Sequence, residues 1–378
     1  MQRVNAQIAE IGGEERPIRQ SWHGRRPALD RVPWGRYIPA NGREAARTVM
    51  PRGSQGMSFF PRDLAAPAGP VGPVIEWEEV SCLLCGRRNW SSLVEASDAT
   101  AGGTGFWFAA VQCQECGLCF TNPRPSRETI GQFYPAIYRP HRTPAPRKRT
   151  RRQGDRETRR ARKLFSLCPG LRVSSSGSPG RLLDFGCGGG SFLAQMHRLG
   201  WKATGLDVST AAVHRIRTEL GLRALVGSLP HPELRPESFE VITMWHSLEH
   251  VHAPMDVLHE AYRLLVPRGR LVVAVPNIDS LPFRWFGPAW YGLDLPRHLT
   301  HFAPATLKRM LEQAGFRVGP IQMVRHSDWL RSSARLAGQQ VEPSSWLGWL
   351  QSKPASRLAT WYCYLTGQCD CILSTAER

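Results

Sequence analysis

The 378-residue sequence predicts an α/β fold on a parallel sheet, preceded by a small β-rich, cysteine-bearing unit and a disordered leader. Three observations carry this. From Arg181 onward, short apolar strands alternate with amphipathic helical stretches, as in a parallel sheet covered by helices. The first of these strands runs into a glycine turn that opens a helix. Upstream, two Cys-x-x-Cys-Gly units stand 27 residues apart, spaced like the two knuckles of a metal-bound β ribbon.

Residues 1–75 hold nine Pro and nine Gly with little periodicity, which predicts the leader; Met50 or Met57 is the expected natural start. The chain carries 49 Lys and Arg against 31 Asp and Glu. Two thirds of that excess lies between Arg139 and Arg181, with 14 basic and 2 acidic side chains. Such a block reads as a solvated tether (139–180) between folded parts, or as a phosphate-binding segment. No apolar run is long enough to span a membrane, and the N-terminus lacks the apolar stretch of a secretory signal. A cytoplasmic protein is therefore expected, its ten cysteines serving as thiols or metal ligands rather than disulfides.

In residues 76–138, Cys82-x-x-Cys85-Gly86 and Cys113-x-x-Cys116-Gly117 bracket a predicted strand, Phe106 to Val111. Each pair puts two sulfurs on one tight turn, and the following Gly permits the positive φ of that turn. Cys82, Cys85, Cys113 and Cys116 are the expected ligands of a structural Zn²⁺, with Cys119 a packed neighbour.

In residues 181–378 the expected strands are Arg181–Phe185, Ala203–Asp207, Ala224–Gly227, Phe239–Trp245, Leu271–Val275, Arg317–Val324 and Cys371–Ser374. Helices are expected from Ser191, from Pro254 to Leu265, and from Pro304 to Ala314 with Gly315 as the stop. The turn Gly186-Cys187-Gly188-Gly189-Gly190 lies between strand and helix, where bare backbone N–H groups can meet a ligand. A dinucleotide fingerprint would need Gly at position 191, which is Ser. Asp207 ends the second strand, 21 positions after Gly186, placed to accept from both hydroxyls of a ribose.

Titratable side chains cluster twice more. After the fourth strand stand His246, Glu249, His250 and His252; after the fifth stand Asp294, Arg297, His298 and His301, among Phe283, Trp285, Phe286, Trp290 and Tyr291. His246 or His298 can act as a general base, while capping, packing or loop fixation explains the same residues structurally. Trp329, Trp346, Trp349, Trp361, Tyr362 and Tyr364 near the C-terminus predict a helical cover over a pocket, a dimer face, or a surface resting on a membrane.

Leu182 to Phe192, Asp207, Ser238 to Ile242, Leu248 to Val251, Leu265 to Gly269 and Pro296 to Leu299 together resemble the class I S-adenosylmethionine-dependent methyltransferases. Residues 80–138 resemble the zinc ribbon that some bacterial members carry ahead of the catalytic domain. The resemblance implies a Rossmann-like seven-stranded sheet, with Asp184, Gly186, Gly188 and Gly190 at the methionine end of the cofactor. It also implies Asp207 at the ribose, Leu206 and Val208 beside the adenine, and Gly227-Ser228-Leu229 beneath it. Two residues depart from the pattern: Ser228 is neutral where an acid is frequent, and Arg268 stands where a second Gly is usual.

His246, Glu249 and His250 resemble in spacing the Glu-x-x-Glu-His of ubiquinone-type O-methyltransferases, where a divalent ion is bound; here the first position is His. Implied is methyl transfer with His246, Glu249, His250 and His298 as candidate catalytic groups. The expected acceptor is a small metabolite, a sugar or a glycan-linked intermediate. The alternatives are an RNA methyltransferase gripping nucleic acid through the basic tether, and a non-catalytic protein that kept the cofactor fold. Peripheral membrane contact is compatible with all three.

Overall fold

The computed structural model describes residues 75–98, 106–134, 180–340 and 345–378. The leader with Met50 and Met57, and the basic tether through residue 179, lie outside the described residues.

The N-terminal unit is built on β2 (Trp90–Ser97), β3 (Trp107–Cys113) and β4 (Cys119–Thr121), an antiparallel meander, while β1 (Trp77–Glu78) pairs with β5 (Arg124–Pro125). The chain then forms β6 (Arg181–Phe185), α1 (Ser191–Arg198), β7 (Lys202–Asp207), α2 (Thr210–Glu219), β8 (Arg223–Val226) and β9 (Phe239–Trp245). Next come α3 (Pro254–Leu264), β10 (Leu265–Pro276), α4 (Leu281–Phe286), β11 (Thr300–His301) and α5 (Pro304–Gln313). The last elements are β12 (Arg317–Val318), β13 (Gln322–Val324), α6 (Ser327–Gln340), α7 (Ser345–Gln351), α8 (Lys353–Leu365) and β14 (Cys371–Glu377).

The large sheet runs β12-β14-β10-β9-β6-β7-β8, with β13 also on β14. Strands β10, β9, β6, β7 and β8 are parallel, and β14 enters antiparallel beside β10. This is an α/β sheet preceded by a β-rich unit, with seven strands in one path, as the resemblance implied, and β13 as an eighth. Its central strands are apolar on both faces because helices cover both: Leu182, Leu183, Ile242, Val272 and Val273 are fully buried. Each such side chain contributes about 1.5–3 kcal/mol.

Two local departures have clear causes. The expected strand Arg317–Val324 is broken into β12 and β13, because Pro320 has no N–H to donate and the chain steps between two stretches of β14. Arg268 sits at φ 63°, the left-handed region that the more usual Gly would enter without strain.

β11 does not join the large sheet. It extends the N-terminal meander, pairing Thr300 with Phe120 and His301 with Cys119. The loop after β10 thus carries the edge strand of the cysteine-bearing sheet. Its aromatics also turn inward: Phe286 and Trp290 pack in one core with Phe108, Phe133, Leu330 and Leu347, rather than lining a cavity.

Candidate active site

The glycine turn sits at the carboxyl end of β6, and its conformation explains its composition. Gly186, Gly188 and Gly190 have φ of 71°, 49° and 72°, which L side chains rarely adopt. A Cβ on Gly186 would come 2.5 Å from Cβ of Ser247, and one on Gly190 would come 2.7 Å from Ile216. The first contact matters for function, since it sets the turn directly against the segment that carries His246, Glu249 and His250.

Asp207, at the end of β7, is fixed by two backbone donors: Gly188 N–H to Oδ2 at 2.7 Å and Ser209 N–H to Oδ1 at 2.8 Å. Each carboxylate oxygen keeps a further lone pair for a ribose hydroxyl. Gly227 donates its N–H to the Asp207 carbonyl at 2.9 Å, which brings half-buried Ser228 to the same edge. Val208 is 71% exposed whereas Leu206 is buried in the core, so only Val208 of that pair presents surface to a ligand. Asp184 is buried and accepts from Thr243 Oγ1 at 2.7 Å. Burial pushes its carboxyl up to about 7, against the pull of the Thr243 hydrogen bond.

At the end of β9 the backbone turns sharply. His246 has φ 52°, a strained conformation for a residue with a Cβ, and Leu248–His250 form a single 3₁₀ turn. Glu249 is fully buried; its Oε1 lies 3.4 Å from His246 Nδ1, and neither carboxylate oxygen has a hydrogen-bond partner among the described residues. Burial raises its pKa, but the His246 contact and the surrounding imidazoles outweigh this and hold it below the usual glutamate value.

Ligand atoms of Glu249, His250 and His298 converge within 4.8 Å of one another. His246 is drawn instead into a second group with His326 and Cys371. The ring of Trp329 on α6 lies 4.9 Å from that of His246 and 4.6 Å from that of His326. The spacing His246, Glu249, His250 therefore does not come together as one donor set.

The tautomers follow from the partners. His250 Nδ1 lies 3.0 Å from the Arg297 carbonyl oxygen and 3.0 Å from the Tyr134 hydroxyl. A carbonyl only accepts, so Nδ1 carries the hydrogen and Nε2 keeps its lone pair. His298 is fixed in the same way, Nδ1 facing the Gly292 carbonyl at 2.9 Å. Burial, with His298 alongside, pushes His250 down to about 4, so its ring is neutral near pH 7.

The remaining polar residues of the two groups are spoken for by the N-terminal unit. Arg297, wholly buried, bonds Asp98 at 2.8 Å, Asp294 at 2.7 Å and the Phe133 carbonyl at 2.8 Å. His252 faces the Pro125 carbonyl, and His301 faces Thr121 Oγ1, whose own hydrogen goes to the His298 carbonyl. Tyr134, Asp98 and Thr121 are thus part of the site's support. Sequence reasoning missed them because they lie 116 to 199 positions from their partners, and no local pattern marks such a contact.

In the N-terminal unit the two knuckles repeat one geometry. Gly86 N–H bonds the Cys82 carbonyl at 2.8 Å and Gly117 N–H bonds the Cys113 carbonyl at 3.0 Å, with φ of 71° and 78° at the glycines. Sulfurs of Cys82 and Cys116 are 3.4 Å apart, those of Cys85 and Cys113 are 3.6 Å apart, and all four lie within 4.8 Å. These spacings are far beyond a disulfide bond and near those of four thiolates around a tetrahedral ion with bonds of about 2.3 Å. Cys119 is buried apart from them, its thiol directed at the Gly117 carbonyl.

A glycine turn at the switch point of a doubly wound sheet, a carboxylate ending the next strand and titratable side chains against the same turn have the arrangement of a nucleoside-cofactor site. The methyltransferase-domain family profile matches residues 151–320. A ubiquinone biosynthesis O-methyltransferase of Xanthomonas oryzae pv. oryzae is 30% identical over 173 residues, covering 42% of this chain and 71% of that protein. Its counterpart in Xanthomonas euvesicatoria is 29% identical over 171 residues with the same coverage. Among solved structures, an S-adenosylmethionine-dependent methyltransferase from Mesorhizobium loti aligns over 56% of this chain and 96% of its own, with 19% identity and a TM-score of 0.39. The chain belongs to the S-adenosylmethionine-dependent methyltransferases.

Proposed function

We propose that the protein methylates a small-molecule acceptor (a metabolite, sugar or glycan-linked intermediate), with His250 taking the acceptor's proton and Glu249 stabilising the imidazolium that forms. The convergence of Glu249, His250 and His298 beside the glycine turn carries this reading. The cofactor, when bound, supplies an electrophilic methyl group on a sulfonium. Everything else falls to this chain's residues. The glycine turn, Asp207 and Asp184 hold the cofactor, the first by backbone N–H groups and the others by carboxylates.

His250 is placed for this role by geometry: its Nδ1 is tied to Arg297 and Tyr134, and its Nε2 is left to accept. Glu249 lies beside it, buried and held below the usual glutamate pKa, where its charge favours a positive imidazole. The relatives are O-methyltransferases of ubiquinone biosynthesis, which supports a small-molecule acceptor here.

The four-sulfur cluster fits Zn²⁺ by donor type and spacing. In this reading Cys82, Cys85, Cys113 and Cys116 close the ion off from substrate, and it serves the fold of the unit that positions His250 and Arg297. Elemental analysis is expected to find one zinc per chain, lost with loss of structure when Cys82 and Cys113 are replaced by Ser.

The functional test is incubation of the purified protein with methyl-labelled donor and fractionated cell extract. Label in the small-molecule fraction with wild type, and not with His250→Ala, is expected. Label in RNA or protein, or equal labelling by the variant, overturns the reading. Activity that depends on an added divalent ion and survives His250→Gln would replace the base with a metal on the same groups.

A further inference from the structure

Helix α8 is built inside out. Its inward face is small and partly polar: Ala355, Ser356, Thr360 and Cys363 are the buried residues. Its apolar stripe points the other way. Leu358, Trp361, Tyr362 and Leu365, spaced i, i+3, i+4 and i+7, are 64%, 48%, 57% and 76% exposed. An amphipathic helix in a water-soluble fold places that stripe inward. Helix α7 adds Trp346 and Trp349, 43% and 56% exposed, while Leu347 and Leu350 face the core. No helix among the described residues is long and apolar enough to cross a membrane, so this stripe is no part of a spanning segment.

A groove of about 530 Å³ borders the stripe, lined by Arg325, Arg357, Ser327, Thr360, Trp361 and Tyr364 among others. It contains two guanidinium groups and no carboxylate. The Arg325 guanidinium lies over the Trp361 ring, 3.9 Å from its centre, and 5.3 Å from the centre of the Tyr364 ring, so a charge sits directly on the aromatic shelf. From residue 345 to residue 369 the sequence has Lys353 and Arg357 and no acidic side chain.

We propose that the α7–α8 face docks the enzyme on an anionic phospholipid bilayer. Tryptophan, tyrosine and leucine enter the headgroup boundary, and Arg325 and Arg357 meet the lipid phosphates. Trp and Tyr are the side chains whose mixed character suits that boundary, and cations beside them add attraction to an anionic leaflet. Charge decides between a bilayer and a second copy of the chain. A two-fold contact through this face would bring two grooves, each lined by arginines and no carboxylate among the described residues, against each other, whereas an anionic surface complements them.

The test is sedimentation of the full-length chain with phosphatidylcholine vesicles, with and without added phosphatidylglycerol. The wild type is expected to partition onto the anionic vesicles and not the neutral ones. Trp361→Ala with Leu365→Ser, and separately Arg325→Ala with Arg357→Ala, are expected to weaken partitioning about tenfold. The arginine pair should also flatten its salt dependence. Wild-type affinity for S-adenosylmethionine in both double variants shows that they fold, and Trp349→Ser is the milder substitute if one does not. Inorganic phosphate at millimolar concentration is expected to leave the vesicle-bound fraction unchanged.

Equal binding to neutral vesicles, displacement by free phosphate, or wild-type binding by the stripe variant overturns the proposal. The last result would move the anchor to the basic block 139–181. A wild-type dimer in mass photometry that the stripe variant converts to monomer would overturn it as well, in favour of a second copy.

Discussion

The two halves of the proposed active site are built by different means. The cofactor half is local: the glycine turn, Asp184 and Asp207 come from two consecutive strands, and Gly188 and Asp207 are hydrogen-bonded 19 positions apart. The histidine half is assembled across the whole chain. His250 is oriented by Tyr134 and Arg297, Arg297 by Asp98 and Phe133, and the loop's strand β11 by β4 of the N-terminal unit. A shared nucleoside cofactor needs one short motif, whereas an acceptor pocket can be reshaped by whatever packs against the loop after β10. In the proposed reading the N-terminal unit is thus part of how the acceptor side is positioned, and its sheet is continuous with that loop.

This contrast orders the expected effects. His250→Ala should lower turnover most, by about 10²- to 10⁴-fold, with S-adenosylmethionine affinity unchanged; steady-state kinetics beside calorimetry separates the two. Arg297→Met leaves the Asp98 and Asp294 carboxylates without their cation. It should cost about 3–5 kcal/mol of stability, read as a lowered denaturant midpoint. Asp207→Ala should weaken cofactor binding by about tenfold to a hundredfold, the loss of charge-assisted hydrogen bonds, with little change in fold.

The smallest effect is a pH dependence at Asp184. Its carboxyl, raised by burial to about 7, is largely protonated below that pH and loses its attraction for a cationic amino group. Cofactor affinity should therefore fall as pH drops from 8 to 6, by at most about tenfold per pH step below 7. Asp184→Asn should remove the slope. A flat profile in the wild type would detach Asp184 from the cofactor.

The same contrast explains what could be read without coordinates. Strand–turn–helix glycine spacing and the acid ending β7 are short-range signals, and so are the paired knuckles and the period of each sheet strand. His246, Glu249, His250 and His298 were legible as chemistry-bearing types near two strand ends, though not in their grouping. His246 keeps its contact with Glu249 but groups with His326 and Cys371 rather than with His250 and His298. Phe286 and Trp290 of the aromatic loop are core, because the N-terminal unit supplies Phe108 and Phe133 for them to pack on. Arg297 was legible only as a charged member of the second cluster and is a clamp, since its partner Asp98 lies 199 positions away. Pairings at that distance are set by the tertiary fold, and the spacing of one chain carries no record of them.

The division into a cofactor half and a histidine half is tested most directly by titrating S-adenosylmethionine into His250→Ala and Asp207→Ala side by side in a calorimeter. The predicted result is wild-type affinity for the first and at least a tenfold loss for the second. Equal losses in both would contradict it, because His250 would then belong to the cofactor site rather than to a separate wall that receives the acceptor's proton.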